Sequence, residues 1–191
     1  VQGEHYTITI GSNDFYWLLM RPGHDEGEDH AGSVPVAIGI RDWTGLKDKL
    51  RSSLERYGLP AFVRRSRWFR EKALRLRRVT IADAISFGTG ESEAWLLVTD
   101  LSLSDDSTVR YVIPVALALG DEAEHLREEA PSAVVAEVEF SSSETGVIYD
   151  GSYSEPLRRE LFTAATRKKR IRGDLGALEI DKGRYLRRRA A

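Results

Sequence analysis

Between Val79 and Leu119 the chain sends its apolar side chains to alternate sides of an extended backbone three times in succession. Val79 to Ile85 alternates, Trp95 to Leu103 puts Trp95, Leu97, Leu101 and Leu103 on one face, and Arg110 to Leu119 does the same with Tyr111, Ile113, Val115 and Leu117. Only the polar residues Ser104 to Thr108 separate the last two runs, so they turn back on each other as a hairpin. After a short acidic helical stretch, Asp121 to Glu129, the alternation returns in Val134, Ala136, Val138 and Phe140, and a further strand, Gly146 to Tyr149, follows a serine-rich turn. Parallel strands need a crossover of a dozen or more residues, usually a helix, and most of these strands lack one between them. The pattern predicts an α+β fold: an antiparallel sheet of hairpins covered by helices on one side.

Helical spacing accounts for much of the remainder. Leu46, Leu50, Leu54 and Tyr57 recur on one predicted helix face, with Gly58 and Pro60 expected to stop the run. Leu59 to Phe69 suggests a second short helix presenting Phe62, Trp68 and Phe69 among arginines. Ser154 is placed as an N-cap, with Pro156 in the first turn of a helix whose Leu157, Leu161 and Ala165 share a face. Upstream, Tyr6 to Ile10 and Phe15 to Met20 flank the turn residues Gly11 to Asp14, which predicts a short β-hairpin. From Pro22 to Pro35 glycine and acidic residues dominate, so a mobile linker is expected there. The resulting division is a hairpin at 1–21, an acidic Gly-rich linker at 22–43 and a main domain at 44–191. The start at Val1 and the basic, helix-like tail from Arg184 to Ala191 lead us to expect a piece of a longer protein.

The 191 residues contain no cysteine, which removes disulfides, thiolate metal sites and cysteine nucleophiles from consideration and makes a reducing cytoplasm the expected compartment. No apolar run approaches the roughly 20 residues of a membrane span, and no signal peptide opens the chain. A net charge of −2 disfavours a dedicated nucleic-acid binder. Gly88-Thr89-Gly90 lacks the third glycine and the Lys-Ser/Thr of a phosphate loop and precedes a strand, so a plain turn is expected. His24 and His30, with Asp25, Glu26, Glu28 and Asp29, have metal-ligand chemistry but lie in the linker, where nothing would hold them rigidly. His5 and His125 are isolated, and no serine sits in a nucleophile elbow, so no catalytic, cofactor or metal residue is assigned. One charged segment stands out. Arg64, Arg65, Arg67, Arg70, Lys72, Arg75, Arg77 and Arg78 face the single acid Glu71, with Trp68 and Phe69 inside the run. Burial of the two aromatics with the arginines turned outward toward a partner is the expected arrangement. Phosphate contacts with base stacking, or an acidic protein surface, are the alternatives for that outward face.

The segment Leu59-Pro60-Ala61-Phe62-Val63-Arg64-Arg65-Ser66-Arg67-Trp68-Phe69 resembles the opening of the N-terminal cap domain of bacterial maltokinases. The resemblance continues through the strand Trp95 to Leu103, through Arg110-Tyr111-Val112-Ile113-Pro114-Val115-Ala116-Leu117, through Gly146-Val147-Ile148-Tyr149-Asp150 and through Arg170-Ile171-Arg172-Gly173. Tyr6 to Met20, with Phe15-Tyr16-Trp17, resembles the last strands of the C-terminal β-domain of trehalose synthases, and the two enzymes occur fused in that order. The resemblance implies a curved antiparallel sheet with helices and a non-catalytic accessory cap. It further implies a parent combining a maltose α-D-glucosyltransferase, which interconverts maltose and trehalose, with a maltokinase that uses ATP and magnesium. The implied partners are the kinase lobes and the amylase-type domain of the same parent, with maltose reached only through them. Arg64, Arg65, Arg67, Arg70 and Lys72 become the expected contact with a kinase lobe. The rivals are an independent protein- or nucleic-acid-binding module that uses Arg64 to Arg78, and a small enzyme of another type. Where the family commonly follows Trp-Phe with two glycines and a lysine, this chain has Arg70-Glu71-Lys72, keeping only the lysine.

Overall fold

The computed structural model describes residues 37–40, 46, 48–88, 93–140, 142, 144–167 and 170–180, all within one compact unit spanning Ser33–Ala191. The predicted hairpin at 6–20, the linker at 22–35 with its two histidines, and the tail at 184–191 lie outside the described residues. Five antiparallel strands curl into a half-barrel: β2 (Leu76–Phe87), β3 (Ala94–Leu103), β4 (Thr108–Leu119), β5 (Val134–Phe140) and β6 (Thr145–Asp150), in the order β5-β6-β4-β3-β2. A further strand, β1 (Ala37–Ile40), falls in the segment 22–43 assigned to the linker and pairs parallel with β5 on its outer side. The β3–β4 turn is tight: Asp106 takes φ 66°, and Asp105 accepts from the backbone and hydroxyl of Ser107.

Alternation along these strands feeds two apolar clusters, one on each face. Val79, Ile81, Trp95, Leu97, Leu101, Ile113, Val115, Leu117 and Ile148 lie in the first. Ile85, Phe87, Ala116, Ala118, Val147 and Tyr149 lie in the second. Helices cover both faces rather than the single face expected. The N-terminal helix brings Leu50, Leu54, Leu59, Phe62 and Val63 to the first cluster. The second receives Ala123 and Leu126 of α3 (Gly120–Glu129) and Leu157 of α4 (Glu155–Arg167). The physical reason is compositional: β3, β4 and β6 are apolar on both sides near their paired ends, so neither face can be left to water. Glu137 of β5 pins α3 through a bidentate pair with Arg127, with a closest approach of 2.7 Å. Ser154 caps α4 as expected, accepting from the Leu157 amide at 3.3 Å, although Ala164 rather than Ala165 is the fully buried residue on its last turn.

Three irregularities shift side chains from their expected faces. Gly58 and Pro60 do not end the first helix: α1 (Asp48–Ser53) runs through a π-turn, Leu54–Gly58, into α2 (Leu59–Arg65). Pro60 has no N–H for an α-helical bond, and the wider turn, closed by the Leu59 amide on the Leu54 carbonyl, accommodates it. The extra residue rotates the apolar face, so Tyr57 turns outward and Gly58 turns in against the Val135 carbonyl, where a Cβ would sit 3.2 Å from that oxygen. In β2 a bulge between Ile81 and Asp83 breaks the expected alternation, sending Val79 and Ile81 to one cluster and Ile85 and Phe87 to the other. A second bulge, in β5, places Val134 on the face opposite Ala136, Val138 and Phe140.

After α4 the chain forms a small hairpin, β7 (Arg170–Arg172) and β8 (Ala177–Glu179), whose Gly173 bridges to Ile85 at the outer edge of β2.

Candidate functional site

The basic segment begins where α2 ends. Ser66 leaves helical geometry at ψ 135°, and its backbone amide and hydroxyl both return to the Phe62 carbonyl. Two turns then carry the chain to β2, which places Phe69 inward at 3% exposure and leaves Trp68 at 38%. Only half of the expected aromatic burial is realised. Trp68 instead lies between other rings, its centroid 6.0 Å from Phe62 and 5.3 Å from Tyr111, while Phe69 approaches Tyr111 at 6.1 Å. The Tyr111 hydroxyl donates to Glu71 at 2.7 Å and accepts from the Arg70 amide at 3.4 Å. Desolvation and the Glu71 carboxylate raise the Tyr111 pKa above its ordinary value. Glu71 therefore serves as the acceptor that anchors this aromatic group.

The five cations assigned to a partner contact separate into two kinds. Arg65 reaches across to the Val134 carbonyl and lies over the Phe62 ring at 5.4 Å, and desolvation lowers its pKa. Arg64 extends toward the Leu76 carbonyl at 3.4 Å. Both arginines are thus engaged within the module. Arg67, Arg70 and Lys72 are exposed, and their side chains make no hydrogen bond or ion pair with the described residues. Further along, Arg77 pairs with Asp106 and donates to the Ser104 carbonyl at 2.8 Å, whereas the side chains of Arg75 and Arg78 face solvent. Exposed cations without side-chain partners among the described residues therefore flank Trp68 along the chain, fewer than the run of charges in the sequence.

A second polar node was not anticipated. At the β2 bulge the Ile81 amide donates to Glu55 at 2.7 Å and the Ile81 carbonyl accepts from Arg51, which lies 3.2 Å from Asp174. The Asp83 carboxylate accepts from the amides of Leu175 at 3.0 Å and Gly176 at 2.8 Å, in the β7–β8 turn, and from its neighbour Ala84. Partial desolvation would raise the Asp83 pKa, but backbone donors at Leu175, Gly176, Ala84 and Asp174 together outweigh it and hold the acid below its usual range. The available signal was Asp83 itself: strict alternation from Val79 to Phe87 would have placed a carboxylate on an apolar face.

No group of three or more His, Asp or Glu side chains suitable for a metal occurs among the described residues. His125 lies on α3, exposed and 3.5 Å from Glu129. Gly88 is an exposed bend with φ 73°, and Thr89 and Gly90 fall outside the described residues. An open cavity of about 460 Å³ between the end of β2 and α4 is lined by Phe87, Ala94, Pro156 and Leu157 with Glu155, Arg159 and Glu160 at its rim. Arg159 and Glu155 pair with each other there at 2.6 Å. Among the described residues no helix is long and apolar enough to cross a membrane.

These features define a curled-sheet α+β module with exposed cations and a partly exposed tryptophan in the segment between α2 and β2. Within it, residues 62–153 match the family model of the maltokinase N-terminal cap domain, a little under half of the chain. All five antiparallel strands fall inside that segment, while α1, α4 and the β7–β8 hairpin lie outside it. No match is found among curated proteins.

Proposed function

We propose that the chain is the accessory cap of a maltokinase-type protein, acting on the kinase lobes of its parent and not on substrate itself. The observation that carries this reading is the match of residues 62–153 to the cap domain, which spans the whole antiparallel sheet. In the finer version the parent is a fusion in which residues 1–21 close a trehalose synthase β-domain. The amylase-type part interconverts maltose and trehalose, and the kinase part phosphorylates maltose with ATP and magnesium in the cytoplasm. The kinase lobe would meet Arg67, Arg70 and Lys72 around Trp68, with Arg64 and Arg65 supporting that surface from within the module.

A second reading, a free-standing binding module for single-stranded nucleic acid, is favoured by one feature, the partial exposure of Trp68 among unpaired cations. Against it, the contacts of Trp68 with Phe62 and Tyr111 leave less ring surface on which a base could stack. The test is a combined Arg67→Ala, Arg70→Ala, Lys72→Ala variant assayed two ways: maltose phosphorylation by the full-length parent, and oligothymidylate binding by the 191-residue chain. The cap reading requires altered kinase kinetics and no oligonucleotide binding by the unmodified chain. Salt-sensitive binding lost in the variant, with kinase kinetics unchanged, would replace it.

A further inference from the structure

The β7–β8 hairpin sits on the sheet differently from every other strand pair described. Its side chains are exposed or only half-buried, with Ile171 and Leu178 resting on the second cluster and Leu175 at its tip 85% exposed. Against the sheet it forms a single bridge, Ile85 to Gly173, and one backbone bond at 3.2 Å from the Asp174 amide to the Ala84 carbonyl. The other polar ties converge on the turn. Asp83 takes the Leu175 and Gly176 amides, and Arg51 from α1 reaches Asp174. The bulge between Ile81 and Asp83 is what re-aims the carboxylate at the sheet edge. Glycine leaves room opposite it: a Cβ at residue 173 would stand 2.7 Å from Asp83 Oδ1 and make the carboxylate shift, and one at residue 176 would stand 3.1 Å from Oδ2.

We propose that the β7–β8 hairpin is a strap that opens and closes as a unit on the outer edge of β2, with Asp83 as its clasp. A segment with little buried apolar surface and a few localised polar ties opens below the free energy of global unfolding, whereas the β2–β6 ladders do not. Opening uncovers the Ala84 carbonyl and the flank of Ile85 on the outer edge of β2. Arg51 ties the same turn to α1, so the closed strap joins the N-terminal helix to the segment after α4.

The test is native-state hydrogen exchange on the 191-residue chain. In Asp83→Ala, amides of 172–179 exchange about tenfold or more faster while those of 94–103 and 108–119 keep their wild-type rates. Gly173→Ala, which crowds the carboxylate from the hairpin side and leaves Asp83 in place, gives the same pattern and is the deciding variant if Asp83→Ala does not fold. Unchanged exchange over 172–179 in either folded variant overturns the clasp. Acceleration of 94–103 in step with the hairpin overturns the strap, since the hairpin would then open only with the whole fold.

Discussion

At the scale of single residues, neighbouring side chains in the basic segment carry different tasks. Phe69, buried at 3%, belongs to the first cluster, and Phe69→Ala should destabilise the chain by about 3–5 kcal/mol in denaturant unfolding. Trp68 keeps 38% of its surface in water, so Trp68→Ala should cost less, about 1–3 kcal/mol, most of it from lost ring contacts. Equal losses at the two positions would mean that Trp68 is more deeply covered than the geometry indicates. Asp83 makes a prediction with a definite pH sign. Its folded pKa lies below the ordinary carboxylate value, so its hold on Leu175 and Gly176 is complete above that value and is lost as pH falls through the folded pKa. Arg51 of α1, itself 3.8 Å from Glu55, reaches Asp174 in the same hairpin turn. Protection factors of the Leu175 and Gly176 amides should therefore fall on acidification from about pH 6 to about pH 3, ahead of those in β3. Tyr111 has the opposite sign: its pKa is raised, so its contribution is full below about pH 10 and declines as pH rises through the folded value.

At the scale of elements, the strands were legible because alternation is a local pattern, and β3 and β4 place Trp95, Leu97, Leu101, Ile113, Val115 and Leu117 on the predicted face. What was not legible came from single-residue insertions. The π-turn at Leu54–Gly58 and the bulges in β2 and β5 each change which face the next residue occupies, and nothing in a period of 3.6 or 2 announces the change. Pro60 and Asp83 were the clues, and each reads as a breaker until its tertiary partner is visible. The strand β1 was hidden for another reason: four residues are too short to show a period, and its partner β5 lies about a hundred residues away. The separation of Arg64 and Arg65 from Arg67, Arg70 and Lys72 was equally unreadable, because the Leu76 and Val134 carbonyls that engage the first two come from other elements. Close element contacts give further expectations. Gly58→Ala should destabilise by about 1 kcal/mol despite the better helix propensity of alanine, because the new methyl meets Leu54 and the Val135 carbonyl at 3.2 Å. Gly146→Ala should cost more, about 2–3 kcal/mol, since its Cβ would lie 2.6 Å from the Ala118 carbonyl and force β6 away from β4. A thermal melt of each variant checks the order, and a stabilised Gly58→Ala would contradict the packing at the π-turn.

At the scale of the whole molecule, the sheet that matches the cap family model is covered on both faces, and exposed cations without side-chain partners among the described residues follow the end of α2. The cap reading therefore separates stability from coupling. The side chains of Arg67, Arg70 and Lys72 make no hydrogen bond or ion pair with the described residues and should be dispensable for folding. On the cap reading, incubation of the 191-residue chain with maltose and ATP should give no turnover above blank. The decisive measurement is steady-state maltose phosphorylation by the full-length parent carrying the combined Arg67→Ala, Arg70→Ala, Lys72→Ala substitutions, alongside its melting temperature. We predict a change of about threefold or more in kcat or KM with the melting temperature unmoved. Wild-type kinetics in a variant that melts normally would contradict the assignment of this surface to a kinase lobe.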